Sequence, residues 1–203
     1  MRRAFFLTFE GIDGCGKSTQ AKRLKRALTD RRFLVTHTFE PGGTMLGRKL
    51  RTILLVQDEL NLSLFSEVLL FAADRRQDID EVILPALERG EIVIGERFAD
   101  SSIAYQGIAG NVGKERVEQL MDIVTSGLVP DLTLLLDIDP RVALARKTDL
   151  DRIEQRGPFL NVVRRAFLDM AASQPERWVT IDAARPADDV FSDVLEAVLK
   201  RLE

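Results

Sequence analysis

Short apolar runs alternate along the chain with longer segments whose apolar residues recur at helical spacing. The runs Phe5–Glu10, Leu34–Thr38, Ile92–Gly95, Leu132–Asp137 and Val179–Asp182 have strand length, and most are too apolar to leave one face wet. Ala21, Leu24, Ala27 and Leu28 recur every three or four residues directly after Lys17. Val190, Val194, Leu195, Val198 and Leu202 do the same near the end of the chain. Leu64, Val68, Leu69 and Phe71 open a long helical segment that Asn61 or Ser63 caps and Pro85 bends or ends. Val117, Leu120, Met121 and Val124 mark another, closed by Gly127. Asp139-Pro140 makes a good helix start, because the carboxylate accepts from free amides and proline suits the first turn. Strands alternating with helices predict an α/β fold with a five-stranded parallel sheet, and strands apolar on both sides require helices on both faces.

Composition narrows the function. At 203 residues with no composition shift that would mark a linker, one domain spanning 1–203 is expected. The 29 basic and 32 acidic side chains leave a net charge of −3, so no global positive field exists to hold nucleic acid. Arg146, Lys147, Arg152, Arg156, Arg164 and Arg165 cluster locally, as either a small-polyphosphate contact or a solvated helix face. A single cysteine, Cys15, excludes an intramolecular disulfide, argues against a zinc site and fits a reducing cytoplasm. The apolar run near the start stops at Thr8 and meets Glu10, so it reads as a buried strand rather than a leader. No apolar stretch of about 18 residues suggests a membrane span.

The chemistry is concentrated in Gly11-Ile12-Asp13-Gly14-Cys15-Gly16-Lys17-Ser18, which matches the P-loop pattern between an apolar strand and an amphipathic helix. Glycines let successive amides turn toward phosphate oxygens, and the helix amino terminus adds partial positive charge. Lys17 supplies a mobile full charge, Ser18 is placed to meet a magnesium ion, and Thr19 extends the nucleotide-binding stretch into the helix. The chain is therefore expected to bind a nucleoside triphosphate with Mg2+. The Asn-Lys-x-Asp signature of GTPases is absent, and no second lobe offers a motor mechanism.

Several further segments together resemble thymidylate kinases: Phe9 to Asp13, Glu40-Pro41-Gly42-Gly43-Thr44, Leu70 to Arg75, Gly95-Glu96-Arg97-Phe98 and Ala104-Tyr105-Gln106-Gly107. Pro130-Asp131-Leu132, Leu150-Asp151-Arg152-Ile153-Glu154 and Ile181-Asp182-Ala183 extend the likeness to nearly the whole chain. The resemblance implies a three-layer P-loop kinase fold with a small mobile lid near 146–156, a homodimer, and transfer of the γ-phosphoryl group of ATP to dTMP, giving dTDP for dTTP biosynthesis.

It also implies roles. Phe71 would stack on thymine, and Arg75, one helical turn later, would donate to a base carbonyl where cytosine presents a donor. Arg97 would hold the acceptor phosphate, with Arg51 supplementing it. Asp13 would sit near the 3′-hydroxyl, and Tyr105 would crowd the 2′ carbon of a ribonucleotide. Glu40, Pro41, Ser102 and Gln106 would complete the substrate pocket. Glu96 stands where the family usually carries aspartate; it would orient Arg97 or hold magnesium through water. Gly14 and Cys15 leave no arginine in the loop, so the lid must supply one, Arg152 first and Arg146 as the alternative. Phe39 departs from a common arginine, and the lid is short. The rivals are a kinase of dUMP, UMP or CMP, and a nucleotide-sensing protein without turnover.

Overall fold

The computed structural model describes residues 4–56, 60–146 and 159–202. Five strands form one sheet: β1 (Phe5–Glu10), β2 (Val35–Phe39), β3 (Ile92–Glu96), β4 (Leu132–Asp137) and β5 (Trp178–Asp182), in the order β2-β3-β1-β4-β5. Every pairing is parallel. The carboxyl ends of all five therefore share one edge of the sheet, where open α/β sheets collect their ligands.

Strand edges differ from the expected ones by single residues. Leu34 is exposed, while Phe39 pairs with Glu96, so β2 runs one step later at both ends and β3 ends one residue later. β1 is buried along its whole length, as its unbroken apolar character demands. Its alternate side chains separate two cores. Phe6 joins Val93, Ile79, Ile83, Ala86 and Phe98 in a smaller cluster, and Leu7 and Phe9 join Ile94, Leu24, Leu134 and Phe167 in the larger one.

The helices are α1 (Lys17–Asp30), α2 (Met45–Leu55), α3 (Leu64–Asp78), α4 (Leu84–Glu88), α5 (Ala99–Ser102), α6 (Lys114–Thr125), α7 (Pro140–Ala145), α8 (Phe159–Ser173) and α9 (Ala187–Leu202). Ser63, not Asn61, caps α3 by accepting from the Ser66 amide. Pro85 does not end the segment that α3 begins. A π-helical turn at Ile79–Ile83 widens the ladder ahead of the proline, and α4 then takes Pro85 into its first turn, where a missing N–H costs nothing. A second π-helical stretch, Ile103–Ala109, continues α5 and carries Tyr105 and Gln106. Ser126 is already left-handed before Gly127, so α6 closes one residue early. Asp139 caps α7 as expected. Among the described residues no helix is long and apolar enough to cross a membrane.

Candidate active site

The phosphate-binding loop leaves β1 and enters α1 through three left-handed glycines, Gly11, Gly14 and Gly16. At Gly14 the requirement is steric as well as conformational: a Cβ there would lie 2.4 Å from the Ala143 carbonyl oxygen of α7. Lys17 is buried and folds back over the loop, donating to the carbonyls of Gly11 at 3.0 Å and Ile12 at 2.9 Å, with Cys15 Sγ at 3.6 Å. Cys15 is buried by the protein itself, and Thr19 stands exposed on the first turn.

Directly above the loop, the end of β3 delivers Arg97. Its Nη2 reaches Asp13 Oδ1 at 2.6 Å and the Tyr105 hydroxyl at 3.2 Å, and its Nη1 donates to Ser101 Oγ at 2.9 Å and the Gly11 carbonyl at 3.2 Å. The guanidinium lies over the Tyr105 ring, 4.9 Å from its centroid. Burial opposes its charge, but Asp13, Tyr105 and Glu10 outweigh that opposition and hold Arg97 firmly cationic. Burial above all pushes the Tyr105 hydroxyl upward, so the ring presents a neutral O–H to Asp13. Arg97 itself has φ near 70°, a left-handed backbone that costs a non-glycine residue about 1–3 kcal/mol and persists only where surroundings enforce it.

Behind this group lies a second arginine. Arg75 is fully buried, 2.7 Å from Glu40 in an ion pair, and donates to Ser102 Oγ and the Phe98 carbonyl, each at 2.8 Å. Asp74 accepts from the Gly42 amide, and Asp78 from the Thr38 hydroxyl at 2.6 Å. Burial raises all three carboxyls, Glu40 well above its ordinary range, Asp74 to about 6 and Asp78 to about 7, and neighbouring acids reinforce it at Glu40 and Asp78. Near neutral pH these carboxyls therefore retain protons, which lessens the negative charge set against the single positive charge of Arg75.

Glu96 does not touch the Arg97 guanidinium, against one of the two roles expected for it. Its longer arm reaches α1, where the Ser18 hydroxyl donates to Oε2, and β2, where His37 Nε2 lies 2.9 Å from Oε1. Burial pushes its carboxyl up, but the hydrogen bonds with His37 and Ser18, helped by the nearby Lys17 ammonium, win, leaving it below its ordinary value and ionised.

These groups share one cavity of about 460 Å³, lined among others by Asp13, Lys17, Ser18, Phe71, Arg75 and Arg97. Glu40, Pro41, Arg51, Glu96, Ser102, Tyr105 and Gln106 line it too, so the structure brings together the substrate-pocket residues that the sequence singles out. Arg51 donates to the Pro41 carbonyl, and Gln106 to Glu67. Phe39 borders the cavity with Leu55, an apolar wall in place of a cation. Arg146 is not among the lining residues and donates to the carbonyls of Ala183 and Ala184; Arg152 lies outside the described residues. Asp137 is occupied by both nitrogens of an Arg164 fork, which makes it structural. Sequence reasoning missed His37 and Ser101, whose only signals are a place two residues before the end of β2 and one helical turn after Arg97.

A family model described as thymidylate kinase matches residues 9–194. A thymidylate kinase of Deinococcus radiodurans is 42% identical over 99% of this chain and 99% of its own length. One of Thermosipho africanus is 44% identical over 98% and 99%. The crystal structure of thymidylate kinase from Ehrlichia chaffeensis superposes with a TM-score of 0.80 at 34% identity, covering 97% of this chain and 99% of that one.

Proposed function

The chain belongs to the thymidylate kinase family, and on that footing we propose that it transfers the γ-phosphoryl group of ATP to dTMP, with the work divided as follows. The observation that carries the reading is the single cavity in which the phosphate loop, Arg97 with Asp13 and Tyr105, and the buried Arg75 beside Phe71 all open. It has one cation for the donor, one for the acceptor phosphate and one for a base edge.

The loop amides and Lys17 take the donor phosphates, Lys17 leaving its present carbonyl partners for them. Arg97 holds the acceptor phosphate, which is nucleophilic enough near neutral pH to need no general base. Asp13 keeps Arg97 aimed, and Tyr105 closes the sugar side against a 2′-hydroxyl. Phe71 stacks on the base, and the region of Arg75, Ser102 and Gln106 reads its edge. Two hard oxygen donors in contact, the Ser18 hydroxyl and an ionised Glu96, suit the magnesium ion that accompanies ATP. Bound there, that ion would offset the charge of the transferring phosphoryl group. The lid at 146–156, with Arg152, supplies the remaining cation and excludes water.

The whole chain acts as one kinase domain in the cytoplasm, on small nucleotides rather than nucleic acid. Leu64, Phe65 and Leu69 on α3 and Ile123 on α6 expose apolar surface that supports a homodimer.

A coupled assay of ADP release with dTMP, dUMP, UMP and CMP, run with and without magnesium, tests this. Turnover at least tenfold faster with dTMP than with UMP or CMP, and dependent on magnesium, is the expected result. Equal turnover across the panel would point to a broader pyrimidine kinase, and binding without turnover to a nucleotide sensor.

A further inference from the structure

Arg97 is asked to hold a precise direction from a left-handed backbone position, which the chain after β3 does not favour by itself. The group that enforces it does not line the cavity. Glu10, the last residue of β1, is completely buried. Its Oε1 accepts from the Phe98 amide at 2.8 Å, the peptide group that directly follows Arg97, and its Oε2 accepts from the Ser101 hydroxyl at 2.6 Å. Ser101 Oγ in turn accepts from Arg97 Nη1 at 2.9 Å. The direction of the chain is unambiguous: guanidinium to hydroxyl, hydroxyl to carboxylate. One carboxylate thus clamps both the strained turn and, through one hydroxyl, the side chain it carries.

We propose that Glu10 is a positioning residue for Arg97, its carboxylate fixing the Arg97 turn through the Phe98 amide and the guanidinium through Ser101. The proposal rests on the reading of Arg97 as the acceptor-phosphate arginine. It requires Glu10 ionised, because a proton on Oε2 would displace the Ser101 hydroxyl hydrogen that polarises the relay.

The surroundings make that ionisation sensitive. Burial first, then Asp100 on α5, raise the Glu10 carboxyl to about 7, while Arg97, Ser101 and the Phe98 amide pull against them. Asp100 is itself held by an Arg177 fork at 2.8 and 3.0 Å, so its charge stays beside Glu10. On the far side of Arg97 stand Asp13 and Tyr105. Below pH about 7 the relay loses its acceptor, and above it the clamp is complete.

The test compares wild type, Glu10→Gln, Ser101→Ala, Ser101→Thr and the Glu10→Gln, Ser101→Ala double variant in the dTMP assay between pH 5.5 and 9. Glu10→Gln should lower kcat/KM at least tenfold at pH 8.5, with the ratio of wild type to variant shrinking toward one at pH 5.5, where wild-type Glu10 is protonated. Titration of dTMP itself is common to both and cancels in that ratio. Ser101→Ala should lose a similar factor, Ser101→Thr should restore most of it, and the double variant should be no worse than the poorer single one, because both break one chain. Should Glu10→Gln prove too unstable to assay, Ser101→Ala and its threonine rescue decide alone. A pH-independent ratio, losses that multiply, or full activity in Ser101→Ala would overturn the proposal while leaving the kinase reading intact. Wild-type protein that neither binds nor phosphorylates dTMP would reject both.

Discussion

Arg75 shows how much a single buried charge demands of its neighbours. It sits among Glu40, Asp74 and Asp78, four of whose carboxylate oxygens, Glu40 Oε1 and Oε2, Asp74 Oδ2 and Asp78 Oδ2, find no aligned hydrogen bond among the described residues. Three ionised acids there would leave uncompensated negative charge in a dry site, so the folded state retains protons that the unfolded chain would release. For Asp78, whose ordinary value is 3.8 and whose folded value is about 7, the folded state binds more protons throughout that interval. Its stabilising contribution is therefore complete below pH about 4 and is lost as pH rises through 7. Asp78→Asn keeps an oxygen for the Thr38 hydroxyl and removes the titration. Thermal unfolding followed from pH 5 to pH 8 should decline less steeply in Asp78→Asn than in wild type, the variant gaining on the order of 1–3 kcal/mol at the alkaline end. Parallel curves would show that Asp78 does not retain a proton in the folded state.

Elements position these residues by meeting in the right places. α7 packs its Ala143 carbonyl against the phosphate loop so closely that Gly14 has no room for a side chain, and Gly11 is similarly hemmed by the Leu136 carbonyl of β4, 2.6 Å from where a Cβ would lie. The loop's shape thus depends on β4 and α7 as much as on its own glycines. Gly14→Ala should weaken ATP binding at least tenfold in calorimetry and lower the melting temperature by several degrees, since it adds both a left-handed alanine and a backbone clash. Retained ATP affinity would mean that α7 yields easily, and that the loop is autonomous. The π-helical stretch after α5 has a comparable role: it places both Tyr105 and Gln106 on the cavity.

At the scale of the whole molecule, the order β2-β3-β1-β4-β5 puts β1 at the centre, with the carboxyl ends of β2 and β3 beside it. That adjacency is why Glu96 can bridge His37 and Ser18 although they lie far apart in sequence. The exposed apolar residues of α3 and α6 belong to this scale as well. Val68 is fully buried while Leu69, next to it, is about half exposed, so one helix serves the core with one side and offers the other. Light scattering should give the mass of a dimer for wild type and of a monomer for Leu69→Glu, and a monomeric wild type would withdraw the dimer.

What the sequence determined by itself was local. Unbroken apolar runs are legible as buried strands because strand burial is written in consecutive residues, and Gly11 to Ser18 is legible as a phosphate loop because all its contacts to a ligand come from one short stretch. The order of the strands, the π-helical turn that admits Pro85, and the raised carboxyls of Glu40, Asp74 and Asp78 are not written that way. Glu10 falls within a recognisable motif, yet its bond to Ser101, 91 positions on, exists only because β1 and β3 are neighbours. Hydrogen bonds and pKa shifts depend on distance in space, and only the folded sheet brings those distant residues within it.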